Sequence, residues 1–205
     1  AKSIGGTYGS LTIDASGNWT YTLNNGAANV QGLKQGQQVV DRINVTTLDG
    51  TTREIAITVT GTNDAPVLGG TAQTLAYTEN GVATPIDTAM TITDPDLPSN
   101  FNGGWLQAQI TTNGAAEDQL SVLNQGTSAG QIGVSGSNVT YGGTIIGTID
   151  ASNTGANGGA LRINLNADAY SLQVQALARS IAFSNPADDL SGAARGIRIE
   201  VNDGG

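Results

Sequence analysis

Ile55-Ala56-Ile57-Thr58-Val59-Thr60-Gly61-Thr62-Asn63-Asp64-Ala65-Pro66 is the stretch from which the chain is best read. Its first half alternates, with Ile55, Ile57 and Val59 in one phase, and predicts a strand with one buried face. The pattern stops at Gly61. Asn63 and Asp64 then stand side by side, and Pro66 lacks a donor N–H and biases Ala65 toward extended backbone. Two readings stay open on these residues alone. One is a junction between two domains that share a cation; the other is a polar turn between strands.

The 205 residues suffice for one large or two modest domains. Glycine is frequent and aromatics are scarce, which favours short strands joined by tight turns. Seventeen acidic residues against eight basic ones give a formal charge of -9, which argues against nucleic acid and anionic membrane surfaces as partners. A bound divalent cation would relieve some of the self-repulsion. Cysteine and histidine are both absent, which removes thiol nucleophiles, Ser-His-Asp triads and the usual zinc ligands together. No long apolar run is present, so no inserted helix is expected. The opening residues, Ala1 to Gly6, read as the middle of a longer chain.

Along the chain, Tyr8 to Ile13 and Trp19 to Leu23 alternate on either side of Asp14-Ala15-Ser16-Gly17-Asn18 and predict a hairpin. Val30 and Leu33 are expected to tuck under as a helical turn. Ile43, Val45 and Thr47 form the next strand, Asp49-Gly50 turns, and Ile55 to Val59 returns. After Pro66, short strands are expected near Leu75 and Tyr77, and over Met90–Thr93, Trp105–Ile110, Leu120–Leu123, Val139–Tyr141, Thr144–Ile149, Leu161–Leu165, Ile181–Phe183 and Ile197–Val201. Between Asp168 and Ile181 the period changes. Val174, Leu177, Ala178 and Ile181 fall at i, i+3, i+4 and i+7, which predicts a short structural helix capped by Asp168 or Ser171. Gln173, Gln175 and Arg179 point away from that stripe. An echo links the halves: a strand runs into Asp49-Gly50 in one and into Asp203-Gly204 in the other, as in a tandem array.

Gly6-Thr7-Tyr8-Gly9-Ser10-Leu11-Thr12-Ile13, Gly17-Asn18-Trp19-Thr20-Tyr21 and Thr58-Val59-Thr60-Gly61-Thr62-Asn63-Asp64-Ala65-Pro66 resemble the VCBS repeat of giant bacterial surface proteins. Tyr77-Thr78-Glu79-Asn80-Gly81, Thr93-Asp94-Pro95-Asp96, the segment 176–185 and Val201-Asn202-Asp203-Gly204 resemble the cadherin-like repeats of the same proteins. The resemblance implies an all-β chain of tandem β-sandwich domains, cadherin- or immunoglobulin-like, with one short helix in the second. Residues 1–62 would be a VCBS-type domain without its leading strands, 63–66 a calcium-binding linker, and 67–205 a cadherin-like sandwich without its last strand. It further implies an extracellular extender repeat on a bacterial cell surface, of the RTX or biofilm adhesin kind. Its partners would be neighbouring repeats of the same chain and a matrix or host glycan or protein.

The resemblance also suggests ligands for calcium, which takes six to eight hard oxygens. Asn63 and Asp64 would offer side-chain oxygens from the linker. Asp94 and Asp96, one residue apart around Pro95, would offer carboxylates from the second domain, Asn100 or Asn102 an amide oxygen, and Asp203 a further carboxylate. Where the cadherin linker usually has a second Asn before its proline, this chain has Ala65, which implies fewer or weaker ions. By the same logic Asp49 would serve a preceding joint and Glu79 a following one, while Asp188-Asp189 reads as a solvated loop.

Three rival functions are weighed against this one. A glycan- or protein-binding module would use Trp105, near Phe101 on a glycine-rich loop; the same Trp also suits the start of a core strand. Calcium-dependent self-cleavage would use the Asp94-Pro95 bond, although the flanking residues do not match such a module. An intramolecular Lys–Asn cross-link has only Lys2 and Lys34 to draw on. No pair of carboxylates is placed as acid opposite base, so the chain does not read as an enzyme.

Overall fold

The computed structural model describes residues 1–47, 49–70, 72–188 and 192–205. The chain divides into two compact units, Ala1–Asp64 with Pro95–Pro98, and Ala65–Asp94 with Ser99–Gly205. Both are built from antiparallel β-structure, and the chain is all-β in class. Among the described residues no helix is long and apolar enough to cross a membrane.

In the first unit β1 (Lys2–Gly5), β2 (Gly9–Ile13) and β3 (Trp19–Leu23) form one sheet in that order. The β2–β3 turn is built by Asp14, whose Oδ1 accepts the N–H groups of Ser16 (2.8 Å) and Asn18 (2.9 Å). A single turn of helix, α1 (Ala28–Gln31), buries Val30, and Leu33 follows it into the core as expected. β4 (Gln38–Thr46) and β5 (Thr52–Thr60) pair in register from Gln38↔Thr60 to Thr46↔Thr52. β1 is an addition to the expected elements. It is four residues long, with a single apolar side chain, Ile4, too little alternation to register as a strand.

Asp41 holds this unit together. It lies on β4 in phase with Ile43, so the pleat that buries Ile43 also carries a carboxylate inward. Burial of an unanswered charge would be prohibitive. Here Oδ1 accepts the N–H of Thr7 (2.8 Å), and Oδ2 accepts the N–H of Tyr8 (3.0 Å) and the phenol of Tyr21 (2.8 Å). The carboxylate thus ties the β1–β2 turn and β3 to β4. Burial alone would raise its pKa; the hydrogen bonds outweigh burial and hold it below the ordinary value of 3.8. Tyr21 is pushed the other way, to about 12, by burial, by its bond to Asp41 and by the charge beside it.

The second unit begins with β6 (Val67–Gly69), β7 (Thr84–Pro85) and β8 (Thr91–Thr93), followed by β9 (Trp105–Thr112), β10 (Gln119–Val122), β11 (Ile132–Ser135) and β12 (Asn138–Tyr141). Then come β13 (Thr144–Thr154), β14 (Leu161–Leu165), α2 (Ser171–Arg179), β15 (Ile181–Ser184) and β16 (Gly196–Asn202). A six-stranded antiparallel sheet runs β11-β12-β13-β14-β9-β16, a second sheet runs β10-β15-β7, and β6 pairs with β8. The core takes alternate residues from the large sheet, among them Leu106, Ala108, Leu161, Ile163 and Val139, all fully buried. Leu75 and Tyr77 reach this core from irregular backbone rather than from a strand. Tyr77 packs edge-on against Phe183, with ring centroids 5.1 Å apart.

α2 buries the stripe read from its period. Val174, Leu177 and Ala178 are fully buried, as is Ile181 just beyond it. Each large apolar side chain removed from water contributes roughly 1.5–3 kcal/mol, which suffices to hold a nine-residue helix in place. Its cap differs from expectation. Tyr170 occupies the N-cap with no side-chain hydrogen bond, and the Ser171 N–H donates to Ser99 O (3.2 Å). A neighbouring backbone carbonyl has taken over part of the cap's task. Gln175 and Arg179 do leave the stripe, yet they serve the fold: Gln175 Oε1 accepts the N–H of Ile92 (3.1 Å), and Arg179 Nε donates to Met90 O (2.6 Å).

A second buried carboxylate, Asp118, is fully enclosed and accepts from Asn185 Nδ2 (2.7 Å), the Ala115 N–H (2.8 Å) and Arg195 Nε (3.3 Å). Burial again pulls its pKa up, and these donors outweigh it and hold it low. A carboxyl whose pKa is lowered by folding adds stability above its unfolded pKa and loses it as pH falls. Acid should therefore cost stability from pH 3.8 downward, through the lowered values of Asp41 and Asp118, as urea denaturation across that range would measure. Asp41→Ala should cost about 2 kcal/mol at neutral pH by stranding three donors. At the alkaline end, Tyr21 should ionise at about 12, and the contribution of its phenol should be lost between pH 10 and there. Ultraviolet titration of the parent against Tyr21→Phe reads that step.

Candidate metal centre

β8 ends at Thr93, and the chain turns through Asp94-Pro95-Asp96. β16 ends at Asn202, and Asp203 follows. Asp94, Asp96 and Asp203 each offer a carboxylate oxygen, and these oxygens lie within 4.8 Å of one another. Asp96 and Asp203 are buried and Asp94 is half-buried. These are three of the four carboxylates that the sequence nominates.

The strand end that carries Asp203 is fixed by backbone packing. At Gly104 a Cβ would fall 2.1 Å from Asn202 O, so only glycine lets the two backbones approach this closely. Gly204 has φ +90°, and a Cβ there would meet Asn102 O at 2.5 Å. Asp203 Oδ1 accepts the N–H of Gly205 (3.2 Å), a local turn of its own. The echo between the halves has a physical form here. Asp49 Oδ1 accepts the N–H of Thr51 (3.1 Å), again two residues on, and Gly50 has φ +87°.

The other nominated residues take different parts. Asp64 contributes its backbone N–H, which donates to Asp96 Oδ2 (3.1 Å). The Asn63 N–H donates to Gln35 Oε1 (2.8 Å). Asn100 spends its amide on the loop: Oδ1 accepts the Asn102 N–H (3.0 Å) and Nδ2 donates to Ala167 O (2.6 Å). Asn102 is exposed. Asp188 accepts from Asn80 Nδ2 (2.9 Å), and Asp189 lies outside the described residues. Trp105 opens β9 half-buried, with the Arg162 guanidinium 4.4 Å from its ring centroid, and Phe101 is fully buried.

Two anchoring carboxylates, Asp41 and Asp118, are absent from the sequence reading. Asp41 carried a signal, being in phase with Ile43 and Val45 on an alternating strand. Asp118 carried none, because its donors Asn185 and Arg195 are 67 and 77 residues away.

The donor set fits a hard cation. Three carboxylates with no nitrogen or sulfur ligand suit calcium or magnesium, which take oxygen, and not a metal that prefers imidazole or thiolate. Two unit charges about 5 Å apart repel by about 3 kcal/mol at an effective dielectric near 20, so a divalent ion held by Asp94, Asp96 and Asp203 would reverse the sign of the local energy. Neither a family model nor a curated protein matches the chain. Gly104→Ala should displace the Asn202–Gly204 backbone at a cost of roughly 1–3 kcal/mol. Thermal melting measures the loss, and an unchanged melting temperature would mean that the close approach is not needed.

Proposed function

We propose that this chain is a calcium-stabilised structural repeat of a secreted bacterial surface adhesin, an extender and not an enzyme. The observation that carries the reading is the convergence of Asp94, Asp96 and Asp203. Two elements distant in sequence deliver these carboxylates. The resemblance of Tyr77–Gly81, Thr93–Asp96 and Val201–Gly204 to cadherin-like repeats supports the same reading, as does the surplus of acidic over basic residues.

In this role the ion does mechanical work. Bound, it supplies two positive charges that the three carboxylates share. It thereby fastens the turn after β8 to the end of β16. Removed, it leaves three like charges that push these elements apart. Neighbouring repeats of a long chain are the natural partners, with a matrix or host glycan or protein as the eventual target. A millimolar-calcium exterior is the setting in which such modest sites fill, since extracellular modules bind calcium at roughly 10⁻⁴–10⁻³ M.

Calcium at about ten times its Kd should stabilise the fold by about 1.4 kcal/mol, and EDTA should reverse the gain. Calorimetric titration and melting of the parent against Asp94→Asn, Asp96→Asn and Asp203→Asn, with magnesium as comparison, test the assignment. Each variant should lose the calcium response. A parent that melts at one temperature with and without calcium would end the proposal.

A further inference from the structure

Asparagine is followed by glycine five times in the chain, at Asn25, Asn80, Asn102, Asn113 and Asn157. Such a pair can lose the side-chain amide, because glycine has no Cβ to keep its backbone nitrogen away from the asparagine Cγ. All five asparagines are exposed, so access of water does not choose among them. What separates them is whether the two reacting groups are free to meet.

Four of the pairs are held. The Gly81 N–H donates to Thr78 O (2.9 Å), and Asn80 Nδ2 donates to Asp188 Oδ1 (2.9 Å). The Gly103 N–H donates to Leu165 O (3.3 Å), and the Gly158 N–H to Asp118 O (2.7 Å). Asn113 Nδ2 is tied to Ala194 O (2.8 Å), 81 residues away in sequence. Asn25 differs. Among the described residues, neither its side chain nor the Gly26 N–H makes a hydrogen bond. Other groups hold the turn: the Ala27 N–H donates to Asn24 O (3.0 Å), and Gln31 Nε2 donates to Asn25 O (2.8 Å). A Cβ at Gly26 would meet nothing within 4 Å, so the space beside the pair is open.

We infer that Asn25 is a selective deamidation site, converted to aspartate and isoaspartate while the other four pairs react far more slowly. The Gly26 nitrogen gives up its proton and bonds to Asn25 Cγ; the Cγ–Nδ2 bond breaks, and ammonia leaves with that proton. The succinimide so formed takes up one water. Opening at Cγ gives aspartate. Opening at the backbone carbonyl carbon gives isoaspartate, in which the chain runs through Cγ. The product puts a new carboxylate on the turn that leads from β3 into α1, and the isoaspartyl form also lengthens the backbone there by one carbon. The inference is independent of the calcium reading, because none of the proposed ligands takes part.

Incubation of the folded chain in mildly alkaline buffer, followed by peptide mapping with mass spectrometry, tests it. The peptide containing Asn25 should gain one mass unit at least about tenfold faster than those containing the other pairs, since each of these must first break a hydrogen bond. Its product should be mostly isoaspartate, which direct hydrolysis of the amide does not make. In concentrated urea the five rates should converge, because the bonds that hold the other four pairs are gone. Gly26→Val, whose side chain would stand in open space, should slow Asn25 at least about tenfold while the other four keep their rates. A folded chain in which Asn25 reacts no faster than another pair, or a ranking that persists in urea, would overturn the assignment.

Discussion

A carboxylate that leaves water must be met by donors or by a cation, and this chain has few cations of its own. Seventeen acidic residues stand against eight basic ones. The backbone therefore answers most of the aspartates whose settings are described. Asp14 and Asp49 collect the N–H groups of their own turns. Asp150 takes those of Ser152 and Asn153 together with the Asn164 amide. Asp41 collects backbone N–H groups from 33 and 34 residues away, and Asp118 adds the distant side chains of Asn185 and Arg195 to the nearby Ala115 N–H, so each anchors its unit. The acidic surplus is thus largely a supply of turn-builders. Backbone N–H groups satisfy one carboxylate at a time, however, and cannot cancel the repulsion among three. Asp96 and Asp203 each accept a backbone N–H and still face each other and Asp94.

What the sequence made legible follows from how local each signal is. The pairing of Trp19–Leu23 with Gly9–Ile13, the return of β5 along β4 and the limits of β14 rest on alternation and turn residues within a dozen positions. The helix was readable because its stripe repeats at 3.6 while everything around it repeats at 2. Its cap was misread because the donor's partner, Ser99 O, lies more than seventy residues upstream. β7 was missed for a similar reason: Thr84–Pro85 is a strand only because β15 lies beside it. β11 is different, since Ile132-Gly133-Val134-Ser135 pairs with β12 across a two-residue turn and was missed because so short a run shows too little alternation. Leu75 and Tyr77 show the converse: apolar residues in alternate positions that reach the core without joining a ladder.

The carboxylates of the candidate metal centre were legible in the sequence. Asp94 and Asp96 are local to each other, and the Asp-Gly ending of β16 marks a turn, so both pieces could be named from the chain. Their meeting depends on something the composition hides, the contact of Gly104 with the Asn202 carbonyl. Asn100 looked equally suitable as a ligand. Its oxygen accepts the Asn102 N–H in an Asx turn, which uses one of its two lone pairs.

β16 carries part of the candidate cation site. At its end stands Asp203; along its length run the half-covered Ile197, Ile199 and Val201. An edge strand is held by one ladder where an interior strand has two, so it is the part of a sheet whose order depends most on what grips its ends. A cation at Asp203 would hold the end of this strand.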